Sequence, residues 1–179
     1  MARIKLKQDH ELSEAALQSA KAIEASGGDT STLRGLANRQ DMFDAYFQFY
    51  MPARQGTTIS AQLIELVRLR IARHNNCFTW LNARLLQVAG HDLTEEKILK
   101  LDLDKPLSNF SESEQLALEY ADLLAADHHN MDDDYFDRLK TQYSDEQILE
   151  LGMMIGQFIG FGRLLAVLDL ESKFCPIET

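Results

Sequence analysis

Cysteine is scarce in this sequence: Cys77 and Cys175 are the only two among 179 residues. Two cysteines so far apart do not make the disulfide framework of a small secreted scaffold, so the expected setting is a reducing cytoplasm. Proline and glycine are scarce too, at three and nine. With few forced turns, long helices are favoured over many short strands. Positive charge is in deficit, with 18 Lys and Arg against 28 Asp and Glu, a net charge of −10. Such a surface repels phosphate backbones and anionic lipid, which argues against nucleic acid or a membrane as a main partner. No apolar stretch follows the basic start MARIKLK, so it does not read as a secretory signal. No phosphate-cradling glycine loop and no Ser-His-Asp signature occurs, and no cofactor is expected.

What is present is helical. The length and the 45% hydrophobic content suit a single all-α domain of about seven to eight helices. Residues 12–25 read as a helix with Ser13 as its cap and Gly27-Gly28 as its stop. Phe43, Tyr46, Phe47 and Tyr50 follow helical spacing within 31–50, most simply as a core stripe, with an aromatic pocket wall as the lesser reading, and Pro52 and Gly56 then break the chain. Residues 59–73 form an amphipathic helix, with Leu63, Val67 and Ile71 on one face and Arg68, Arg70 and Arg73 largely on others. Thr94 caps a further helix, and Ser111 with Glu114 and Ser144 with Gln147 read as capping boxes. The octets beginning at Thr94 and Ser144 are alike, a hint of a duplicated helical unit. The apolar segment 147–170 contains Glu150, Gln157, Arg163 and Asp169, which points to a core helix rather than a membrane span. Its Gly152, Gly156 and Gly160 share one face, as if another backbone approached there, from the same chain or a second subunit. Arg163 reads as hydrogen-bonded near the core, with anion binding as the lesser reading. Asp127-His128-His129 lacks zinc spacing and reads as a solvated turn, so no metal is expected.

Chemistry concentrates at Cys77. Asn75 or Asn76 is a suitable N-cap, which places Cys77 in the first turn of a helix running to about Ala89. Unpaired backbone N–H groups and the positive end of the helix dipole favour a thiolate there. Cys77, Trp80, Leu81 and Arg84 share a face, and Arg73, His74 and Arg84 bring positive charge nearby. His74 is a proton-shuttle candidate, and Glu65 on the preceding helix can fold back to take the thiol proton. The plain alternative is a small core cysteine.

Glu65, the run Leu66-Val-Arg-Leu-Arg-Ile-Ala72, Asn75-Asn76 and Cys77 resemble the core of the carboxymuconolactone decarboxylase family, in its alkyl hydroperoxidase D-like branch. The resemblance continues through Gly90, the stretches 93–98, 110–114 and 143–151, and ends at 160–164. It implies an all-helical array assembled as a homo-oligomer, with a core over 59–172, an N-terminal helical extension over 1–58 and a tail over 173–179. The peroxidase branch carries a Glu, then Asn-x-Cys-x-x-Cys, then a His. Glu65 takes the place of the proton-relay Glu and Cys77 that of the first Cys. Trp80 stands where the second Cys would be, and Arg84 where the His would be.

A local disulfide therefore cannot form, and three readings stay open. Cys77 can act as a one-cysteine thiol peroxidase-like oxidoreductase on a small-molecule substrate, resolved by an external thiol reductant or by Cys175. Glu65 can act as a general acid or base in decarboxylase-like chemistry, with Arg84 holding a substrate carboxylate. Or the site is a catalytically inactive binding or structural relic.

Overall fold

The computed structural model describes residues 1–77, 80–81 and 93–171. Among the described residues the chain is helical and forms no β-strand, as the sequence implies. In chain order the helices are α1 (Glu14–Ala25), α2 (Ser31–Leu36), α3 (Gln40–Arg54), α4 (Ala61–His74), α5 (Glu95–Leu99), α6 (Glu112–Ala126), α7 (Asp133–Lys140) and α8 (Asp145–Val167). Trp80 and Leu81 are also helical; the remainder of the helix expected to run to Ala89 lies outside the described residues.

The helix starts follow the capping chemistry of the sequence. Ser13, Ser60 and Thr94 each accept from a backbone N–H three residues on. Both capping boxes form: Glu114 reaches back to the Ser111 N–H, and Gln147 to the Ser144 N–H. Pro52 does not end α3, which runs on to Arg54 and stops before Gly56, where φ is 82°. Pro52 sits in the last turn, and its carbonyl accepts from the Gln55 N–H.

The chain divides into two compact units. The first comprises Met1–Met51 and the stretch from Arg163 onward. In it α1 packs on α2, and Leu170 is wholly buried against Gly35, where a Cβ would fall 2.6 Å from the leucine side chain. Arg34 ties this unit together by donating to the Lys7 carbonyl, Asp9 and Glu24. Arg163 is exposed rather than near the core, a correction to the sequence reading.

The second unit spans Pro52–Gly162 and is built around α4, which packs along α6. Residues 64–72 of α4 are all buried, including Glu65, Arg68 and Arg70. The amphipathic reading of α4 therefore needs correction, because Arg68 and Arg70 do not face solvent. Leu66 and Leu69 pack with Leu93, Ile98, Leu101, Phe110 and Leu118 on one side of it. By length and composition α8 is long and apolar enough to cross a membrane. Its Leu151, Met154, Ile155 and Phe158 are instead buried in this unit. Glu150 accepts from the Thr57 and Thr58 N–H groups and the Thr58 hydroxyl. Of the most apolar window of α8, 39% is buried.

Candidate functional site around Glu65 and Cys77

The loop between α4 and Cys77 is fixed by the end of α4. The Cys77 N–H donates to the Ala72 carbonyl and the Asn76 N–H to the Arg73 carbonyl, with Asn76 at φ 49°. This pair of bonds around a left-handed residue is a Schellman stop, and Asn tolerates that conformation better than other side chains. Asn75 is the C-cap of α4. Its side chain donates to the Phe158 and Ile159 carbonyls of α8. Asn75 and Asn76 thus close α4 rather than open the next helix.

Cys77 itself takes the opening position. Its carbonyl accepts from the Leu81 N–H, and its Sγ accepts from the Trp80 N–H at 3.4 Å. This is the bonding of an N-cap residue, with sulfur in place of the usual oxygen. Cys77 is only 1% exposed. The Trp80 ring meets Phe158 edge-on, with centroids 6.0 Å apart. Gly162 faces both partners: a Cβ there would lie 2.8 Å from Asn75 Nδ2 and 3.5 Å from the indole. It is at Gly162, then, that α8 needs a missing side chain to let this loop approach.

Glu65 is wholly buried, and both of its oxygens accept from Arg68, at 2.7 Å from Nε and 2.6 Å from Nη2. The third guanidinium nitrogen, Nη1, donates to the Trp80 carbonyl at 2.8 Å. A link from Glu65 to Cys77 thus runs through Arg68 and the backbone of Trp80, whose carbonyl meets Arg68 and whose N–H meets Cys77 Sγ. Arg54 adds a second guanidinium, 3.5 Å from Glu65 Oε2. Nothing in the sequence reading singled out Arg68 or Arg54; the i, i+3 spacing of Glu65 and Arg68 was the available signal.

His74 points to other company. Its Nε2 lies 2.7 Å from Asp122 Oδ1, and Arg70 grips the same carboxylate through Nε and Nη2. Arg70 also donates to the Leu101 and Asp102 carbonyls. Burial pushes the Asp122 carboxyl up, but the bonds and charges of His74 and Arg70 outweigh it and hold it below its ordinary value. Arg84 and Cys175 lie outside the described residues. Among the described residues no group of three or more His, Cys, Asp or Glu could hold a metal, and Asp127, His128 and His129 lie in an exposed turn.

No family model and no curated protein sequence matches the chain. Solved structures do. A peroxidase-related protein from Ralstonia eutropha, described as an alkylhydroperoxidase AhpD core, aligns with a TM-score of 0.75 at 14% identity, over 94% of this chain and 90% of that one. A peroxidase-related protein from Silicibacter aligns with a TM-score of 0.78 at 14% identity, over 96% and 92%. A protein of unknown function from Agrobacterium tumefaciens, a candidate AhpD antioxidant defence protein, aligns with a TM-score of 0.65 at 21% identity, over 78% and 93%. At such identities the likeness speaks for architecture alone: the chain has the all-helical fold of AhpD-like proteins.

Proposed function

We propose that the protein is a one-cysteine thiol oxidoreductase of the peroxidase-related kind, with Cys77 as its nucleophile. The observation that carries the reading is the position of the sulfur. Cys77 Sγ caps a helix and accepts from the Trp80 N–H, and the carbonyl of the same residue accepts from Arg68 of the buried Glu65–Arg68 pair. A helix start and a backbone donor both favour the thiolate. In this reading Sγ attacks the terminal oxygen of a small hydroperoxide, the O–O bond breaks, and the departing alkoxide takes a proton. Cys77 is oxidised by two electrons to a sulfenic acid. An external thiol condenses with it, releasing water and leaving a mixed disulfide, and a second thiol reduces that disulfide. Glu65 serves as proton relay on releasing one Arg68 bond, with Arg84 as a further source of positive charge. A cytoplasmic homo-oligomer belongs to the same reading. Leu149 and Met153, 65% and 45% exposed on α8 beside the open faces of Gly156 and Gly160, support self-association.

A second reading rests on burial. A sulfur 1% exposed and a carboxylate with both oxygens bonded to one guanidinium favour a structural site without turnover. Peroxide treatment with a sulfenic-acid probe, read by mass spectrometry, separates the two. The expected result is an adduct at Cys77, absent in Cys77→Ser, together with thiol-dependent peroxide consumption. No adduct and no consumption would establish the structural reading.

A further inference from the structure

The first unit holds a half-open cavity of about 430 Å³ between α1, α2 and the first two turns of α3. That volume falls in the range of small-molecule sites. Its body is apolar, formed by Ile23 and Leu33 with the tilted pair Phe43 and Phe47, whose centroids are 4.3 Å apart.

Most polar groups of the described lining act as acceptors. The Ser19 hydroxyl donates to the Ala15 carbonyl, and the Thr32 hydroxyl to the Leu170 carbonyl. Each has given up its proton and offers lone pairs only. Asp29 and Asp44 are carboxylates and, when ionised, offer nothing but acceptors. Gln40 donates its amide N–H to Asp44 Oδ1 at 2.7 Å. That bond fixes the orientation of the amide, because the flipped form would set oxygen against oxygen. Gln40 Oε1 is left buried with no hydrogen-bond partner. An orphaned buried acceptor of this kind costs about 1–3 kcal/mol. Among the described residues no lysine or arginine lines the cavity.

We infer that this cavity is a binding site for a small hydrophobic amine, a primary ammonium on an aromatic or alkyl body. An anion is repelled by two carboxylates. A neutral hydrocarbon fills the apolar body but leaves Gln40 Oε1 unmet and the two carboxylate charges unbalanced. An ammonium brings three donors and a positive charge, and an apolar body matches Leu33, Phe43 and Phe47. The cavity lies wholly within the first unit, and the inference does not depend on the reading of Cys77.

The test is calorimetric titration of the full chain with 2-phenylethylamine as the probe, beside 2-phenylethanol and 3-phenylpropionate as neutral and anionic counterparts. The amine is expected to bind saturably, about tenfold or more tighter than the alcohol, and the acid not to bind. Asp44→Asn, at an exposed position, is expected to weaken the amine about tenfold while leaving the alcohol unchanged. Gln40→Leu is expected to weaken the amine as well, with an unchanged helical circular-dichroism spectrum confirming that each variant is folded. Equal binding of amine and alcohol, no binding of the amine, or an affinity indifferent to Asp44→Asn would overturn the inference.

Discussion

Glu65 and Arg68 are the residues on which the second unit has most at stake. A buried ion pair is not in itself strongly stabilising, since both charges have lost their water. Removing one partner is another matter, because the remaining charge stays buried and uncompensated. Glu65→Gln leaves the Arg68 guanidinium in that condition with Arg54 close by, and is expected to lower stability by about 3–5 kcal/mol in urea unfolding. The paired change Glu65→Leu with Arg68→Met removes both charges and is expected to recover much of that loss. A double variant as unstable as Glu65→Gln would show that the fold needs the charges themselves. Arg68→Lys is expected to fall between, because an ammonium cannot hold two carboxylate oxygens and the Trp80 carbonyl in one plane. The sequence pointed to Glu65 and Cys77 by motif, and it had the Arg68 spacing on view. What hid Arg68 was the assumption that charges on an amphipathic helix face water. Residues 64–72 are buried on every side of α4, so its charges had to find partners inside.

At the level of whole helices, α8 shows how the same residue type carries opposite costs along one element. Gly152 meets the Tyr120 hydroxyl, which a Cβ would approach to 2.5 Å, while a Cβ at Gly156 would meet nothing within 4 Å. Tyr120 is largely buried, so its ring cannot swing out freely. Gly152→Ala is expected to destabilise by about 1–3 kcal/mol through overpacking. Gly156→Ala is expected to stabilise by about 0.5–1 kcal/mol through helix propensity. Thermal unfolding of the two variants should move in opposite directions, and a parallel shift would refute the argument. The three-glycine stripe was thus legible as a register, but not which of its members had a neighbour. Gly162, outside the stripe, proved to be the residue facing Asn75 and Trp80. Helix starts were read well, because a cap is local chemistry: Ser13, Thr94, Ser111 and Ser144 all cap as expected. The end of α4 was misread, because Asn75-Asn76 suits a helix start and a helix stop alike. The choice was made by bonds back to Ala72 and Arg73. Asn76→Gly should therefore leave stability unchanged or slightly raised, whereas Asn76→Val should cost about 1–2 kcal/mol at the left-handed position.

Over the whole molecule, the acidic excess sets how the protein should respond to pH. Several carboxylates sit below their ordinary range in the folded state. Lys105, against some opposition from burial, draws Asp102 down with help from Arg73. For Glu114, burial pushes upward but is outweighed by Lys97 and Ser111, and for Glu150 it is outweighed by Thr58 and Thr57. Asp122 is held down against its burial by His74 and Arg70. A carboxyl with a depressed folded-state value contributes stability that is present above its unfolded value and lost as pH falls through the folded one. All four belong to the second unit, so its stability should hold at neutral pH and decline once pH drops below about 4. Asp122 gives the cleanest test, because its carboxylate serves both Arg70 and His74 and is mostly enclosed, with a side-chain exposure of 26%. Asp122→Asn removes the charge that Arg70 and His74 share. It is expected to lower stability at pH 7 and to flatten the acid decline, because one fewer group takes up a proton on unfolding. Urea midpoints at pH 3, 4, 5 and 7 (on the order of the window set by an ordinary carboxyl) would measure both effects. A variant that is less stable at neutral pH but declines in acid as steeply as the parent would show that Asp122 acts by packing and not by its charge.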